Sequence, residues 1–242
     1  MPRTLPQRQE RCAAQASETL APLINAAPGK PFVIAQLGQS LDGRIATLSG
    51  ESRWINRDCA LDHLHRLRAN VDAVVVGAGT IAADDPWLTV RRVPGPHPAR
   101  VVIDPNGRGA LSLRWLAEDG ARCIVLRTCV GAVPLRAETV IVPSSPGGWI
   151  APSEIVAALF ARGLRKILVE GGASTVSSFI DAGVVDRLHV LVAPVILGSG
   201  ITGLSLAPIR GLADAQRPET RVHVLDDGDV LFDCDLKQLR RG

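Results

Sequence analysis

The run Val71-Asp72-Ala73-Val74-Val75-Val76 constrains the fold most strongly, because it is almost wholly apolar and rich in β-branched residues. Such a run is typical of a central strand that is covered on both faces of its sheet. Lys166-Ile167-Leu168-Val169-Glu170 has a similar character and passes directly into two glycines. Strands of this kind alternate along the chain with helical patterns, which predicts an α/β domain built on a mostly parallel sheet.

A dinucleotide-binding Rossmann unit is the first alternative to consider. Residues 77–82 read Gly-Ala-Gly-Thr-Ile-Ala, which matches the G-x-G-x-x-A turn, and Asp104 closes the next apolar run. However, Asp84-Asp85-Pro86 stops a helix after one or two turns, and three further prolines follow within residues 94–98. Since a Rossmann unit needs a full helix between these strands, the sequence argues against that fold.

The remaining elements complete the predicted architecture. Further strands are expected at residues 32–37, 100–103, 123–126, 139–142 and 185–193, with a C-terminal hairpin at 221–225 and 230–236. Helices are expected after a cap at Asn56 or Asp58, from Ser153 to Gly163, and from Gly172 through Ile180. The prediction is a three-layer α/β fold with helices on both faces of the sheet. We expect residues 1–30 to form an extension outside the core and residues 31–242 to form one domain.

The helix that follows Asn56 has two contrasting sides. Ala60, Leu64 and Leu67 recur at helical spacing and predict one buried stripe. The other side carries His63, Arg66 and Arg68, and position alone predicts that these side chains are solvated.

Two segments suggest ligand binding. Residues 36–55 follow a strand-like run and contain Gly, Ser, Trp and charged side chains, so we interpret them as an irregular binding loop, with a polar surface loop as the alternative. Residues 171–175 read Gly-Gly-Ala-Ser-Thr between a strand and a helix. Free N–H groups and the helix dipole at such a turn favour a phosphate, although tight packing also explains paired glycines.

Composition excludes several other classes. The 27 Lys and Arg against 24 Asp and Glu give a net charge of only +3, and aromatic residues make up 3%, which argues against nucleic-acid binding. The five Cys lack metal-ligand spacing and a clustered His, so we expect neither a zinc site nor a disulfide framework. No apolar run reaches membrane length and no signal peptide is evident, so we expect a cytoplasmic protein with no membrane partner.

Three motifs occur in order and carry a family resemblance: residues 40–44 with 49–55, residues 76–80 with 83–91, and residues 169–172. Together they resemble the reductase domain of the bifunctional riboflavin-biosynthesis deaminase/reductase, which has a dihydrofolate-reductase-like fold. The resemblance covers residues 31–236. Residues 1–30 hold no zinc-binding set for the deaminase half, so we expect a stand-alone reductase.

The resemblance implies an NADPH-dependent reduction of 5-amino-6-(5-phosphoribosylamino)uracil to its ribitylamino product, without a metal. We also expect a homodimer, for which residues 185–193 and the C-terminal hairpin could supply the interface. It implies substrate contacts from Ser52, Trp54, Arg68, Leu88, Arg91 and Glu170, with Arg68 in the phosphoribosyl pocket. It implies cofactor contacts from Gly38, Thr80, Asp84, Gly171, Gly172, Ala173, Ser174 and Thr175, extending to Ser178.

The catalytic group stays open among Asp42, Glu170 and Gln36, and Arg108 and Arg127 are candidates for selecting the 2′-phosphate of NADPH. Two positions depart from the family pattern, because Gln36 and Val195 stand where a Lys is common. These departures keep two alternatives open: a related NADPH-dependent reductase of another heterocycle or carbonyl, and a non-catalytic nucleotide-binding protein.

Overall fold

The computed structural model describes residues 16–107, 114–131 and 136–237. Five helices lie in this part of the chain: α1 at residues 16–24, α2 Asp58–Ala69, α3 Ala78–Asp84, α4 Pro152–Phe160 and α5 Ala173–Asp181. The strands are β1 Phe32–Ser40, β2 Arg44–Thr47, β3 Ala73–Gly77, β4 Ala99–Ile103, β5 Cys123–Arg127, β6 Glu138–Ile141, β7 Lys166–Glu170, β8 Arg187–Ala193, β9 Gly200–Thr202, β10 Glu219–Val224 and β11 Val230–Asp235. Every strand and helix that the sequence predicts is present, within a few residues at each end.

A nine-stranded sheet organises the chain, in the order β10-β11-β8-β1-β7-β3-β4-β5-β6. The strands from β8 to β6 pair in parallel, whereas β11 pairs antiparallel with both β8 and β10. The predicted mostly parallel sheet with a C-terminal antiparallel hairpin is therefore confirmed. Because β8 lies between β1 and β11, its backbone pairs with a strand on each side.

Two apolar cores cover the two faces of the sheet and make the fold three-layered. On one face, Leu159 of α4 and Phe179 of α5 are fully buried and pack against side chains of β1, β3 and β7. On the other face, Leu67 of α2 and Ile81 of α3 pack against Val74 and neighbouring strand residues. The length of α3 agrees with the sequence, since it stops at Asp84, and the structure lacks the long crossover helix of a Rossmann unit at this point.

Helix α1 corrects one expectation. Its Leu20 and Leu23 are 7% and 1% exposed and join the same core as Phe32 and Leu67. The described part of residues 1–30 therefore contributes to the core, whereas the sequence predicted an extension outside it. The prolines and polar residues of this segment led to the prediction of an extension, although five of its nine helical residues are apolar.

A small two-stranded sheet corrects a second expectation. Residues 36–55 were predicted to be irregular, but β1 continues to Ser40 and β2 pairs antiparallel with β9. Asp42 joins these segments, because its oxygens accept hydrogen bonds from Ser40 Oγ (2.6 Å), Leu197 N (3.1 Å) and Gly198 N (2.7 Å). The Gly and Ser content of this segment indicated its turns. It gave no sign of strand β2, because the partner strand β9 is distant in sequence.

The N-terminus of α2 is capped by the turn of the C-terminal hairpin. Asp227 Oδ2 accepts a hydrogen bond from Cys59 N (2.7 Å), and Asp229 Oδ2 accepts one from Arg57 N (2.8 Å). Neither Asn56 nor Asp58 caps the helix with its own side chain, so that prediction is wrong. Carboxylates from a distant turn satisfy the free N–H groups instead.

Two of the three residues on the polar side of α2 are buried, contrary to the prediction that they are solvated, whereas Arg66 is half-buried. His63 and Arg68 are 4% and 6% exposed. His63 Nε2 lies 2.9 Å from His189 Nδ1, whose Nε2 lies 3.1 Å from Asp233 Oδ1. Arg187 donates to the same carboxylate at 2.6 Å. Burial together with neighbouring His189 lowers the pKa of His63 well below its ordinary value.

Within the described residues, no helix is both long enough and apolar enough to cross a membrane.

Candidate active site

The candidate site lies where the carboxyl ends of β1, β3 and β7 meet. Parallel strands bring these ends to one edge of the sheet, which is where α/β folds place their ligands. Gln36 of β1 is in register with Glu170 of β7, so the two side chains stand next to each other at that edge. The turns that follow β3 and β7, at Gly77 and Gly171, open on the same edge.

A cleft of about 590 Å³ occupies this edge between α2, the segment after β2 and the segment after α3. Gln36 and Gly38 line it from β1, and Ala60, Leu64 and Arg68 line it from α2. The other residues lining the cleft are Ile45, Ser52, Arg53, Trp54, Ile55, Asn56, Leu61, Asp84, Asp85, Pro86, Trp87, Leu88, Arg91, Arg114 and Leu191. Five of the six substrate residues that the resemblance implied thus line the cleft, together with Gly38 and Asp84 from the implied cofactor residues.

Arg68 and Glu170 form a bidentate ion pair at the inner end of the cleft. Arg68 Nε and NH2 donate to the two Glu170 oxygens at 2.7 and 2.6 Å, and Arg68 NH1 donates to Thr89 O at 3.0 Å. Both side chains are 8% exposed. These bonds use three of the five N–H donors of the guanidinium group and fix its orientation at the wall of the cleft. Glu170 lies behind Arg68, outside the residues that line the cleft.

The segment after α3 forms one wall of the cleft in an unusual backbone conformation. Asp85 and Leu88 have φ values of 42° and 56°, which non-glycine residues adopt rarely. Leu88 is 2% exposed, so its side chain anchors this wall in the core. Strain of this kind persists only where the surrounding structure holds it, and it concentrates at functional sites.

Arg91 stands at the end of this wall. Its backbone N–H donates to His65 Nδ1 (2.9 Å) and its NH1 donates to Thr89 Oγ1 (2.8 Å). Desolvation and the nearby Arg68 lower the pKa of Arg91 from its ordinary value. Burial, followed by the charges of Arg68 and Arg91, lowers the pKa of His65 to about 4. Two guanidinium groups thus make this part of the cleft cationic near neutral pH.

The opposite wall carries Ser52 and Trp54. Trp54 has a φ of 74° and its side chain is 82% exposed, so it stands at the rim without being packed. Across the cleft, Trp87 is 42% exposed and lies beneath Arg114, whose Cζ is 5.9 Å from the ring centroid. The exposed ring of Trp54 suits a planar ligand, whereas one face of Trp87 is covered by Arg114.

A cradle of glycines opens beside the cleft. A β-carbon on Gly77 would lie 2.8 Å from Thr175 Oγ1, and one on Gly172 would lie 3.1 Å from Thr80 Oγ1. Gly172 is the N-cap of α5 with a φ of 68° and no side-chain cap. The first N–H groups of α5 therefore remain available for an anion, next to two hydroxyl groups. These residues fit a dinucleotide pyrophosphate, and a side chain at Gly172 would narrow that space.

Of two further predicted acids, one lines the cleft and the other does not. Asp84 lines the cleft near Arg53, and desolvation of its carboxyl group raises its pKa against the opposing charge of Arg53. Asp42 does not line the cleft, and the hydrogen bond from Ser40, followed by that from Leu197, lowers its pKa to about 2.

Of the two arginines proposed for the 2′-phosphate, Arg127 is 4% exposed beside Asp104, at 3.5 Å. Arg108 lies outside the described residues. Val195, the second departure from the family pattern, is 37% exposed and does not line the cleft.

Five polar or aromatic cleft residues were not among the predicted site residues: Arg53, Asn56, Asp85, Trp87 and Arg114. Asn56 was considered only as a helix cap. Trp87 lies inside the motif at residues 83–91, which was a usable signal, whereas nothing in the sequence placed Arg114 next to it. In the part of the chain that is described, no group of three or more His, Cys, Asp or Glu is arranged to hold a metal ion.

The chain is similar to known riboflavin-biosynthesis proteins. The profile of the family described as RibD C-terminal domain matches residues 31–222. The 2,5-diamino-6-ribosylamino-4(3H)-pyrimidinone 5′-phosphate reductase of Methanothermobacter thermautotrophicus is 34% identical over 219 residues, which cover 86% of this chain and 99% of that protein. The riboflavin biosynthesis protein RibD of Aquifex aeolicus is 35% identical over 72% of this chain, which spans only 49% of that protein.

Solved structures agree with this similarity. The diaminohydroxyphosphoribosylaminopyrimidine deaminase/5-amino-6-(5-phosphoribosylamino)uracil reductase of Thermotoga maritima superposes with a TM-score of 0.73 and 28% identity, over 90% of this chain and 59% of that chain. Dihydrofolate reductase from Enterococcus faecalis superposes with a TM-score of 0.50 and 13% identity, over 84% of this chain and 96% of that chain. The fold is thus dihydrofolate-reductase-like.

Proposed function

Because this chain belongs to the RibD C-terminal domain family, whose members include riboflavin-biosynthesis pyrimidine reductases, we propose that it reduces 5-amino-6-(5-phosphoribosylamino)uracil to the ribitylamino product with NADPH. One observation carries the proposal: the cleft that holds Arg68 and the glycine cradle of α5 open on the same sheet edge. A phosphate-bearing pyrimidine and a dinucleotide then meet above Gln36 and Gly38.

The glycine cradle is the proposed cofactor site. Gly77, Gly171 and Gly172 leave room for a pyrophosphate, and Thr80 and Thr175 present hydroxyl groups to it. The N-terminal N–H groups of α5, from Ala173 to Thr175, add the favourable end of the helix dipole. When bound there, NADPH supplies the hydride. The chain's own task is to orient the two ligands and to exclude water between them.

Arg91, Arg53 and Arg114 are the proposed phosphate contacts on the substrate side. All three line the cleft, whereas the guanidinium nitrogens of Arg68 are engaged by Glu170 and Thr89. We propose that Arg68, held by Glu170, instead contributes a fixed positive charge at the inner end. Arginine suits both tasks because its charge persists and its planar group keeps its orientation.

The proposed reaction adds hydride to the former anomeric carbon of the ring-opened sugar, at its C=N bond, while the nitrogen gains a proton. Gln36 lines the cleft at the position where the family pattern has a Lys, and its amide holds the substrate without supplying a charge. The acids that line the cleft, Asp84 and Asp85, stand on the wall after α3. We therefore propose that solvent entering at the rim delivers the proton.

A second candidate substrate follows from the relatives. The reductase from Methanothermobacter that this chain covers almost end to end is named for a 2,5-diaminopyrimidinone, which carries an amino group where the uracil has an oxygen. The reaction at the sugar is the same for both compounds. We propose the uracil as the substrate and the diaminopyrimidinone as the competing one.

Purified protein tests the proposal. NADPH oxidation is followed with each pyrimidine, and the product is identified by mass spectrometry. We expect turnover with the uracil at a kcat/KM that exceeds the value for the diaminopyrimidinone. The reverse order would transfer the assignment to the second substrate. A folded protein that binds NADPH but reduces neither pyrimidine would contradict both.

A further inference from the structure

The side chain of Asn56 is held in one orientation at the wall of the cleft. Its Nδ2 donates to Asp229 Oδ2 at 3.1 Å and to Leu191 O at 3.3 Å. A carboxylate and a backbone carbonyl only accept hydrogen bonds, so the nitrogen of the amide must face them. The amide oxygen of Asn56 therefore points the other way.

That oxygen lies directly above Gly38. A β-carbon on Gly38 would lie 2.1 Å from Asn56 Oδ1, well inside van der Waals contact. Both residues line the cleft, and no described residue donates a hydrogen bond to this oxygen. A fixed acceptor without an internal partner thus faces the space where β1 meets the ligand.

The hairpin turn holds Asn56 in place. Asp229 is fully buried and also accepts a hydrogen bond from Arg57 N at 2.8 Å. The next acid of the same turn, Asp227, caps α2 through Cys59 N. Since these bonds fix Asn56 and the segment that follows it, the amide oxygen is positioned before any ligand arrives, which lowers the entropic cost of recognition.

We propose that Asn56 is a specificity residue whose amide oxygen accepts a hydrogen bond from an amide-type N–H of the ring that lies over Gly38. This inference rests on the proposed function and deepens it. Two groups present that chemistry: the carboxamide of the nicotinamide ring and a ring N–H of the pyrimidine. Glycine at position 38 is then required because any side chain would displace the Asn56 oxygen.

The test compares Asn56→Ala and Asn56→Ser with the wild type, using two dinucleotides. NADPH carries the carboxamide, whereas its 3-acetylpyridine analogue lacks the N–H. If the carboxamide is the donor, the Kd for NADPH rises roughly 3- to 10-fold in both variants, as expected for one lost hydrogen bond, and the Kd for the analogue is unchanged. If the pyrimidine is the donor, only its KM rises. Unchanged Kd and KM in both variants would overturn the proposal.

A second pair of variants separates the hydrogen bond from packing. Gly38→Ala alone must push Asn56 aside, and Gly38→Ala combined with Asn56→Ala removes that clash. We expect thermal stability to recover in the double variant while ligand affinity stays weak. Recovery of the affinity as well would show that the amide oxygen contributes nothing.

Dinucleotide binding is measured by Trp fluorescence without turnover. A wild-type protein that binds NADPH but reduces no pyrimidine would defeat the proposed function, yet the comparison of NADPH with its analogue would still decide the role of Asn56.

Discussion

Two buried polar networks stand side by side on one face of the sheet, and only one of them faces the cleft. Glu170 of β7, Gln36 of β1, His189 of β8 and Asp233 of β11 occupy registered positions on neighbouring strands. At one end, Glu170 holds Arg68 at the wall of the cleft. At the other end, the buried pair of His189 and Asp233 lies beneath α2.

The two networks differ in access rather than in chemistry. Each contains a carboxylate that accepts hydrogen bonds from an arginine at 2.6 Å. Around His63 the space amounts to a cavity of about 30 Å³, room for a water molecule, whereas the cleft at Arg68 is about 590 Å³. Burial of a charged pair therefore does not identify a functional site by itself. The open cleft beside the ion pair of Arg68 and Glu170 is what indicates a functional site.

The largest expected effects come from removing one carboxylate of each network. Glu170→Leu leaves Arg68 buried without its carboxylate partner, so we expect it to lower the free energy of unfolding by about 3–5 kcal/mol. Asp233→Leu leaves Arg187 with Asp235 alone and the buried His189 without its carboxylate, so we expect a loss at the lower end of that range. Activity should separate them, because Glu170 positions a residue of the cleft and Asp233 does not. Urea unfolding and kcat/KM, measured at a temperature where both variants are folded, check this.

The double variant Arg68→Leu/Glu170→Leu is the control. It removes both charges, so we expect it to be more stable than Glu170→Leu alone and still inactive. Equal loss of activity in folded Asp233→Leu and Glu170→Leu would break the distinction between the two networks.

Acidic pH should lower the free energy of unfolding through two buried histidines, His63 beside His189 and His65 near Arg68. The pKa of His63 is well below 6.5 and that of His65 is about 4 in the folded protein. Below the unfolded pKa the unfolded chain binds protons that the folded chain does not, so stability falls as pH drops below about 6.5. We expect each histidine to contribute at most about 1.4 kcal/mol per pH unit.

Urea unfolding between pH 7 and 5 measures this slope. His63→Gln and His65→Gln should each make it shallower. A slope that neither substitution changes would show that these histidines do not carry the effect.

An added methyl group tests access at the glycine cradle. Gly172 and Gly163 have φ values of 68° and 79°, so alanine is strained at both, but only at Gly172 does a β-carbon approach Thr80 Oγ1 at 3.1 Å. We expect Gly172→Ala to raise the KM for NADPH by about tenfold, as expected when one phosphate contact is lost. Gly163→Ala is the matched control, with a similar loss of thermal stability and an unchanged KM. Similar KM values for both variants would remove the cradle from the cofactor site.

The smallest effect is expected at the rim. Arg114 pairs with Asp85 at 3.2 Å, and the two side chains are 49% and 41% exposed. Because exposed pairs contribute little, Arg114→Ala should lower the free energy of unfolding by less than about 1 kcal/mol. If Arg114 contacts the substrate phosphate, the KM for the pyrimidine rises while the KM for NADPH stays constant. Unchanged values of both would exclude Arg114 from the phosphate site.

The sequence predicted the features that depend on local patterns. The apolar run of β3 predicted a strand of a covered parallel sheet, and the Gly-Gly pair after β7 predicted the turn that leads into α5. Prediction failed where a partner is distant: β2 is a strand because β9 pairs with it, and Asp227 caps α2 from 168 residues away. Arg68 is engaged by Glu170 across 102 residues, which no spacing within α2 reveals. The resemblance named several of the cleft residues, but only the structure shows which of their hydrogen-bond donors already have an acceptor.

The proposed function requires that hydride passes in this cleft from NADPH to the sugar carbon of a phosphoribosylamino pyrimidine. Turnover of the uracil substrate with NADPH deuterated at the transferable position tests it most directly. We expect one deuterium at the first carbon of the ribityl chain, with one NADPH oxidised per product, and loss of that product in Glu170→Leu protein that remains folded. A product without deuterium, or a folded wild-type protein that consumes no NADPH with either pyrimidine, would contradict it.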